Sequence, residues 1–158
     1  MAVTDPSAQH RDVASVERFI PAPPETIFDL LADPSRHSEI DGSGTVRAAK
    51  EGSQRLALGS RFGMSMKAGF SYSMVSTIVE YEENRRIAWQ TRPTPSLGRH
   101  LFGGRIWRYE LEPREGGTLV RESWDISQEK NSWLVRAARS KSVDAMTKTL
   151  ERLEHVVT

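Results

Sequence analysis

Residues 13–34 read VASVERFIPAPPETIFDLLADP, and this stretch decides the fold. Val13 to Ile20 alternates, with Val16, Arg18 and Ile20 on one face and Ser15, Glu17 and Phe19 on the other, as in a strand. The arginine stands on the more apolar side. Pro21 to Pro24 must end the strand, because proline brings no ladder donor. Pro24 suits the first position of a helix and Glu25 its first turn, where the helix dipole favours negative charge. Ile27, Phe28, Leu30 and Leu31 give that helix an apolar face, and Pro34 stops it. Asp33-Pro34-Ser35 is a second helix start with Asp33 as N-cap, which predicts a short helix over Ser35 to Glu39.

Downstream, Asp41, Gly42 and Gly44 form a loop, and strand then follows strand as far as Ile126. The predicted strands are Val46 to Lys50, Ser60 to Lys67, Phe70 to Tyr81, Arg86 to Arg92, Arg105 to Glu112 and Thr118 to Ile126. Glu82-Glu83-Asn84 and Gly116-Gly117 supply hairpin turns. From Ser132, a candidate cap, Leu134, Ala138, Ala145, Met146, Leu150, Leu153 and Val157 recur at helical spacing. Only a sheet is available to cover that stripe. The class is therefore α+β: a curved antiparallel sheet of about seven strands, a long C-terminal helix and two short helices after the first strand.

The chain of 158 residues fits one domain over 13–158, preceded by a polar leader over 1–12. Its 22 basic and 21 acidic residues leave a formal charge of +1, which gives no reason to expect nucleic acid as a partner. There is no cysteine, and the four histidines are scattered, so neither a metal nor another cofactor is expected. The N-terminus lacks a signal-like apolar run, and no stretch approaches the roughly 20 apolar residues of a membrane span. A soluble, cytoplasmic protein without integral membrane association is the expectation, and a homodimer is compatible with it.

Ser15-Val16-Glu17-Arg18 leading into Ala22-Pro23-Pro24-Glu25-Thr26-Ile27-Phe28-Asp29-Leu30-Leu31-Ala32-Asp33-Pro34 resembles the opening of the START-like superfamily. More narrowly it is similar to the polyketide cyclase/dehydrase-like (SRPBCC) proteins. Ser35 to Asp41 with Arg36 and His37, Leu58-Gly59-Ser60-Arg61-Phe62, Gly104-Arg105-Ile106-Trp107-Arg108-Tyr109 and Met146 to Leu153 fit the same subgroup. The resemblance runs from Val13 onward and implies a helix-grip fold with a cavity between sheet and helix. It does not fix an activity, since the superfamily holds lipid carriers, cyclases, hydroxylase domains, a co-chaperone activator domain and toxins.

The inner face carries the candidate site. Phe62, Met64, Met66, Met74 and Met146 fall on it, joined by Trp89, Trp107, Tyr109 and Trp124. Methionines and large aromatics make an adaptable wall for a rigid apolar ligand, and they equally fill a wide core. Arg18 either binds a ligand carbonyl or carboxylate or pairs with an inner carboxylate, Glu122. His37 is an acid, base or donor at a cavity entrance, or a packing residue. Tyr72, Tyr109, Glu122 and Ser142 share the inner faces as polar groups, and Ala138 lies on the helix stripe. The loop from Pro93 to Gly104, with Leu97, His100, Leu101 and Phe102, is either a lid jointed at Gly98, Gly103 and Gly104 or a segment packed flat. Trp133 and Leu134 form an opposite lip. Glu82-Glu83 and Arg85-Arg86 read as a solvated, mutually compensating cluster.

Three functions follow. The first is binding of a hydrophobic or amphipathic small molecule of lipid, polyketide or isoprenoid type. The second is a cyclase- or dehydrase-type enzyme in the same cavity, with catalytic residues unassigned. The third is a protein-interaction module of toxin or co-chaperone type, working through a patch such as Arg136 and Arg139.

Overall fold

A computed structural model describes residues 12–44, 46–49, 54–67, 69, 71–94 and 103–158, with only the backbone of 46–49, 71 and 72. The strands are β1 (Val13–Ile20), β2 (Val46–Ala49), β3 (Arg61–Lys67), β4 (Ser71–Glu82), β5 (Arg86–Pro93), β6 (Arg105–Arg114) and β7 (Gly117–Asp125). They form one antiparallel sheet in the order β1-β7-β6-β5-β4-β3-β2. Every link between β3 and β7 joins sequence neighbours. The exception is β1, which leaves its neighbours in sequence and pairs with β7, Val13 opposite Asp125 and Ile20 opposite Thr118.

The proline break acts as its chemistry requires. Helix α1 (Pro24–Leu31) begins on Pro24 with Glu25 in its first turn, and Ile27, Phe28, Leu30 and Leu31 are all fully buried. Asp33 caps the next turn, its carboxylate accepting from the Ser35 amide at 3.0 Å and the Ser35 hydroxyl at 2.6 Å. That turn is 3-10 over Pro34–Arg36 and continues as α2 (His37–Ile40). Asn84 takes the left-handed conformation, φ 60°, that the β4–β5 hairpin needs.

The closing helix differs from a single run capped by Ser132. It is α3 (Ser132–Val135), a 3-10 turn (Arg136–Ala138) and then α4 (Arg139–Val157), with Asn131 rather than Ser132 at the first N-cap. This break turns the stripe. Leu134 is 41% exposed and Trp133 66% exposed, whereas Val135 is buried. α4 then lies against β1, β7 and α2.

Two apolar clusters result. The larger holds α1, Ile40, Phe62, Met64, Ile78, Ile87, Tyr109, Leu150 and Leu153. The smaller holds Ala14, Trp124, Ile126, Val135 and Met146. Val16 packs against both.

The convex face is charged and cross-linked. Arg108 donates to Glu80 at 2.6 and 2.9 Å, Arg86 bridges Glu80 and Glu110, and Arg121 reaches Glu17. Arg55 joins Asp29 and Glu83. Of the turn charges, Arg86 thus pairs with β4 and β6 and Glu83 with Arg55, rather than with one another as their adjacency suggested. A concavity of about 300 Å³ on this face is lined by Glu17, Arg86, Glu110 and Arg121 among others, and its charge does not suit an apolar guest.

The α2–β2 loop is held to α4 by close approach. The Gly42 amide donates to Thr149 Oγ1 at 2.9 Å, and a Cβ on Gly42 would lie 2.1 Å from the Ala145 carbonyl oxygen. Arg152 also donates to the Asp41 carbonyl. The same Cβ would lie 2.6 Å from the Thr149 amide nitrogen, and because both obstacles are backbone only glycine fits there.

Candidate functional site

The concave face is set by the register. Trp89 faces Trp107, Trp107 faces Trp124, and Tyr109 faces Glu122, which in turn faces Val16. Met64 faces Met74, and Phe62 faces Ser76. Period-two alternation therefore gathers these residues on one surface.

At one end lies an aromatic cluster. His37 stacks on Trp89 with centroids 4.9 Å apart and meets Phe62 edge-on at 5.4 Å. Trp89 also contacts Phe62 at 5.8 Å and Tyr109 at 5.4 Å. The His37 Nε2–H donates to the Leu31 carbonyl at 2.8 Å, and burial lowers the ring's pKa, so it is neutral near pH 7. These contacts pin α2 to α1 and to the sheet through one imidazole.

Next to this cluster is a buried acid. Tyr109 Oη donates to Glu122 Oε1 at 2.8 Å, while Glu122 Oε2 has no protein partner. Burial is the main cause that pushes the Glu122 carboxyl up to about 8, and the nearby Asp41 charge adds to it against the Tyr109 hydrogen bond. The Tyr109 phenol is also raised, first by burial and then by Glu122. Two residues further along β7, fully buried Trp124 has an indole Nε1–H without a partner. Leaving such groups unpaired costs about 1–3 kcal/mol each; Tyr109, the partner of Glu122, belongs to the larger apolar cluster and Trp124 to the smaller.

Arg18 does not serve this acid. Its Cα partner is Val120, its side chain is 40% exposed, and it pairs with Glu154 of α4. The expected Arg18–Glu122 pair is therefore corrected: α4 lies close enough to β1 to offer a carboxylate at the rim, where less desolvation is demanded. Arg18→Ala is expected to cost less than about 1 kcal/mol in urea unfolding, as for other partly exposed pairs. A loss several times larger would mean that this arginine supports the interior.

The other candidates divide by position. Phe62, Met64, Tyr109, Glu122, Trp124 and Met146 are buried, and Met66, Met74, Trp89, Trp107, Ala138 and Ser142 are half-buried. Leu134 points outward, as a consequence of the 3-10 break. Leu101, Phe102 and the side chain of Tyr72 lie outside the described residues, as do Leu97, Gly98, His100 and the leader apart from Asp12. Arg136, proposed for an interaction patch, is engaged by Asp12 at 2.8 Å.

Gly103 and Gly104 are each held through the backbone amide. The Gly103 amide donates to the buried Glu129 carboxylate, and the Gly104 amide donates to the Thr91 carbonyl at 3.0 Å. A Cβ on Gly104 would meet the Gln128 carbonyl oxygen at 2.2 Å. Sequence reasoning also missed Asp41 and Thr149, which join the site to α4. The helical spacing of Thr149 beside Leu150 and Leu153 was the available signal. Among the described residues no cluster of three His, Asp or Glu side chains is placed to hold a metal, and no helix is long and apolar enough to cross a membrane.

Comparison with known proteins matches this geometry at the level of fold. A solution structure from Staphylococcus epidermidis superposes with a TM-score of 0.72 at 15% identity, covering 99% of this chain and 93% of that one. A crystal structure from Chromobacterium violaceum gives 0.70 at 15% identity over 94% and 98%. A protein in the dynemicin biosynthetic locus gives 0.60 at 14% identity, covering 90% of this chain and 47% of that one. An uncharacterized protein of Mycobacterium tuberculosis is 36% identical over 108 residues, 67% of this chain and 44% of the relative. The chain thus spans under half the length of the curated relatives it matches. The family model described as polyketide cyclase / dehydrase and lipid transport matches residues 11–158, and the chain belongs to that family.

Proposed function

We propose that the protein binds an apolar or amphipathic small molecule, of lipid, polyketide or isoprenoid type, between the concave face of the sheet and α4. The observation that carries this reading is the pair of buried polar atoms without protein partners, Glu122 Oε2 and Trp124 Nε1, on an otherwise apolar surface. Native interiors rarely leave such groups unsatisfied, and a guest's polar atom would satisfy them. The half-buried state of Met66, Met74, Trp89 and Trp107 on the same face supports it, since a closed core would cover them. Burying the guest would contribute about 25 cal/mol per Å² of apolar surface before ordering costs. The family membership agrees with ligand binding and names lipid transport beside cyclase chemistry.

A second reading, an enzyme of cyclase or dehydrase type, is favoured by the same carboxyl. An acid raised to about 8 beside a tyrosine is suited to proton transfer near neutral pH. In that case Glu122→Gln would abolish turnover while preserving binding.

Native mass spectrometry of the purified protein, followed by chloroform extraction, tests the binding reading. A retained or re-loadable apolar compound at one per chain is expected. A protein that purifies without one and takes up none from a panel of fatty acids, aromatic ketones and isoprenoid alcohols would refute it.

A further inference from the structure

Resting on that binding reading, we infer that the site selects guests bearing a neutral oxygen acceptor, such as a ketone, ester or alcohol, and discriminates against carboxylates. Tyr109 Oη donates to Glu122 Oε1, so the phenol proton is used and Oε1 is occupied as an acceptor. In the acid form the carboxyl proton is therefore left on Oε2, the buried oxygen with no protein partner. Trp124 Nε1 is a donor only, and it too is unpartnered on the same face of β7. The site thus offers two donors and needs an acceptor.

The charges around Glu122 give the guest its sign. From β6 comes the neutral Tyr109 phenol, and from the end of α2 comes Asp41, whose charge raises both groups. His37 on α2 is neutral, its Nε2–H held by Leu31. On β1 the cation sharing this face, Arg18, is taken by Glu154 of α4. A carboxylate guest would bring a second negative charge beside Asp41 and into a desolvated site where, among the described residues, the cation on this face is already paired. A ketone brings only the acceptor that the two donors lack. Burial keeps Glu122 in its donor form at neutral pH, and this form is lost as the pH rises through about 8.

Three matched probes test this: 2-acetylnaphthalene, 2-naphthoate and 2-ethylnaphthalene, each titrated calorimetrically against the full chain. At about pH 6.5 the ketone is expected to bind about tenfold or more tighter than either the carboxylate or the hydrocarbon. Near pH 9.5 the ketone's advantage over the hydrocarbon should shrink, because the ionised carboxyl no longer donates. Glu122→Gln, whose amide still donates, should keep the preference and lose its pH dependence. Glu122→Leu should bind ketone and hydrocarbon alike. Equal or tighter binding of 2-naphthoate in the wild type, or a ketone preference unchanged in Glu122→Leu, overturns the inference but leaves the binding reading intact. If none of the three binds, the inference is overturned, and uptake from the panel of fatty acids and isoprenoid alcohols still decides the binding reading by itself.

Discussion

Raising the pH from about 6.5 to 8 is expected to destabilise the folded protein relative to Glu122→Gln, with an average slope of about 1 kcal/mol per unit. The cause lies in one proton. Glu122 has an ordinary value of 4.5 in the unfolded chain and about 8 when folded. Between those values the native state holds a proton that the unfolded state has released, so stability is full below 4.5 and declines as pH climbs toward 8. His37 acts in the opposite sense and in another window. Its folded pKa is lowered, so its contribution is present above its ordinary 6.5 and is lost as pH falls below that value. Above 6.5 the carboxyl therefore acts without opposition from the imidazole. Urea unfolding of both proteins across this range decides the matter. Parallel slopes would mean that Glu122 is ionised in the native protein.

Trp124→Ala is expected to lower stability by about 3–5 kcal/mol, the range for truncating a large, fully buried aromatic. Trp124 is fully buried and occupies the middle of the smaller cluster with Ile126, Val135 and Met146. Trp107, across from it on β6, is only half-buried, so Trp107→Ala should cost distinctly less. Trp124→Phe separates volume from hydrogen bonding, because it retains a ring but removes the unpartnered Nε1–H. It is expected to recover most of the loss in the urea midpoint. If Trp124→Ala unfolds at the wild-type midpoint, this cluster does not support the fold.

The sequence made the concave face legible because strands alternate with a strict period. Phe62, Met64, Tyr109, Glu122 and Trp124 could be assigned to it without coordinates, and all five are buried there. Partner choice was a different matter. Arg18 shares a face with Glu122, but Glu154 is brought beside it only by the path of α4, which periodicity does not specify. Likewise Leu134 fits the helical stripe counted at 3.6 residues per turn, and the 3-10 turn at Arg136–Ala138 shifts that count. Gly42 read as an ordinary loop glycine, since its contact partners lie more than 100 residues away on α4. Local composition carries burial well and long-range docking poorly.

The pairing of β1 with β7 also has a kinetic consequence. Val13 finds its partner only at Asp125, so once made β1 has no strand neighbour until over a hundred further residues have followed it. At about 5–20 residues per second that interval lasts several seconds or more. Meanwhile β3 to β7 zip up through adjacent hairpins, leaving the β7 edge open to any strand that arrives. Closure by β1 is therefore the late event in assembly, and it is the step at which a wrong chain, rather than this one's own β1, has the opportunity to dock.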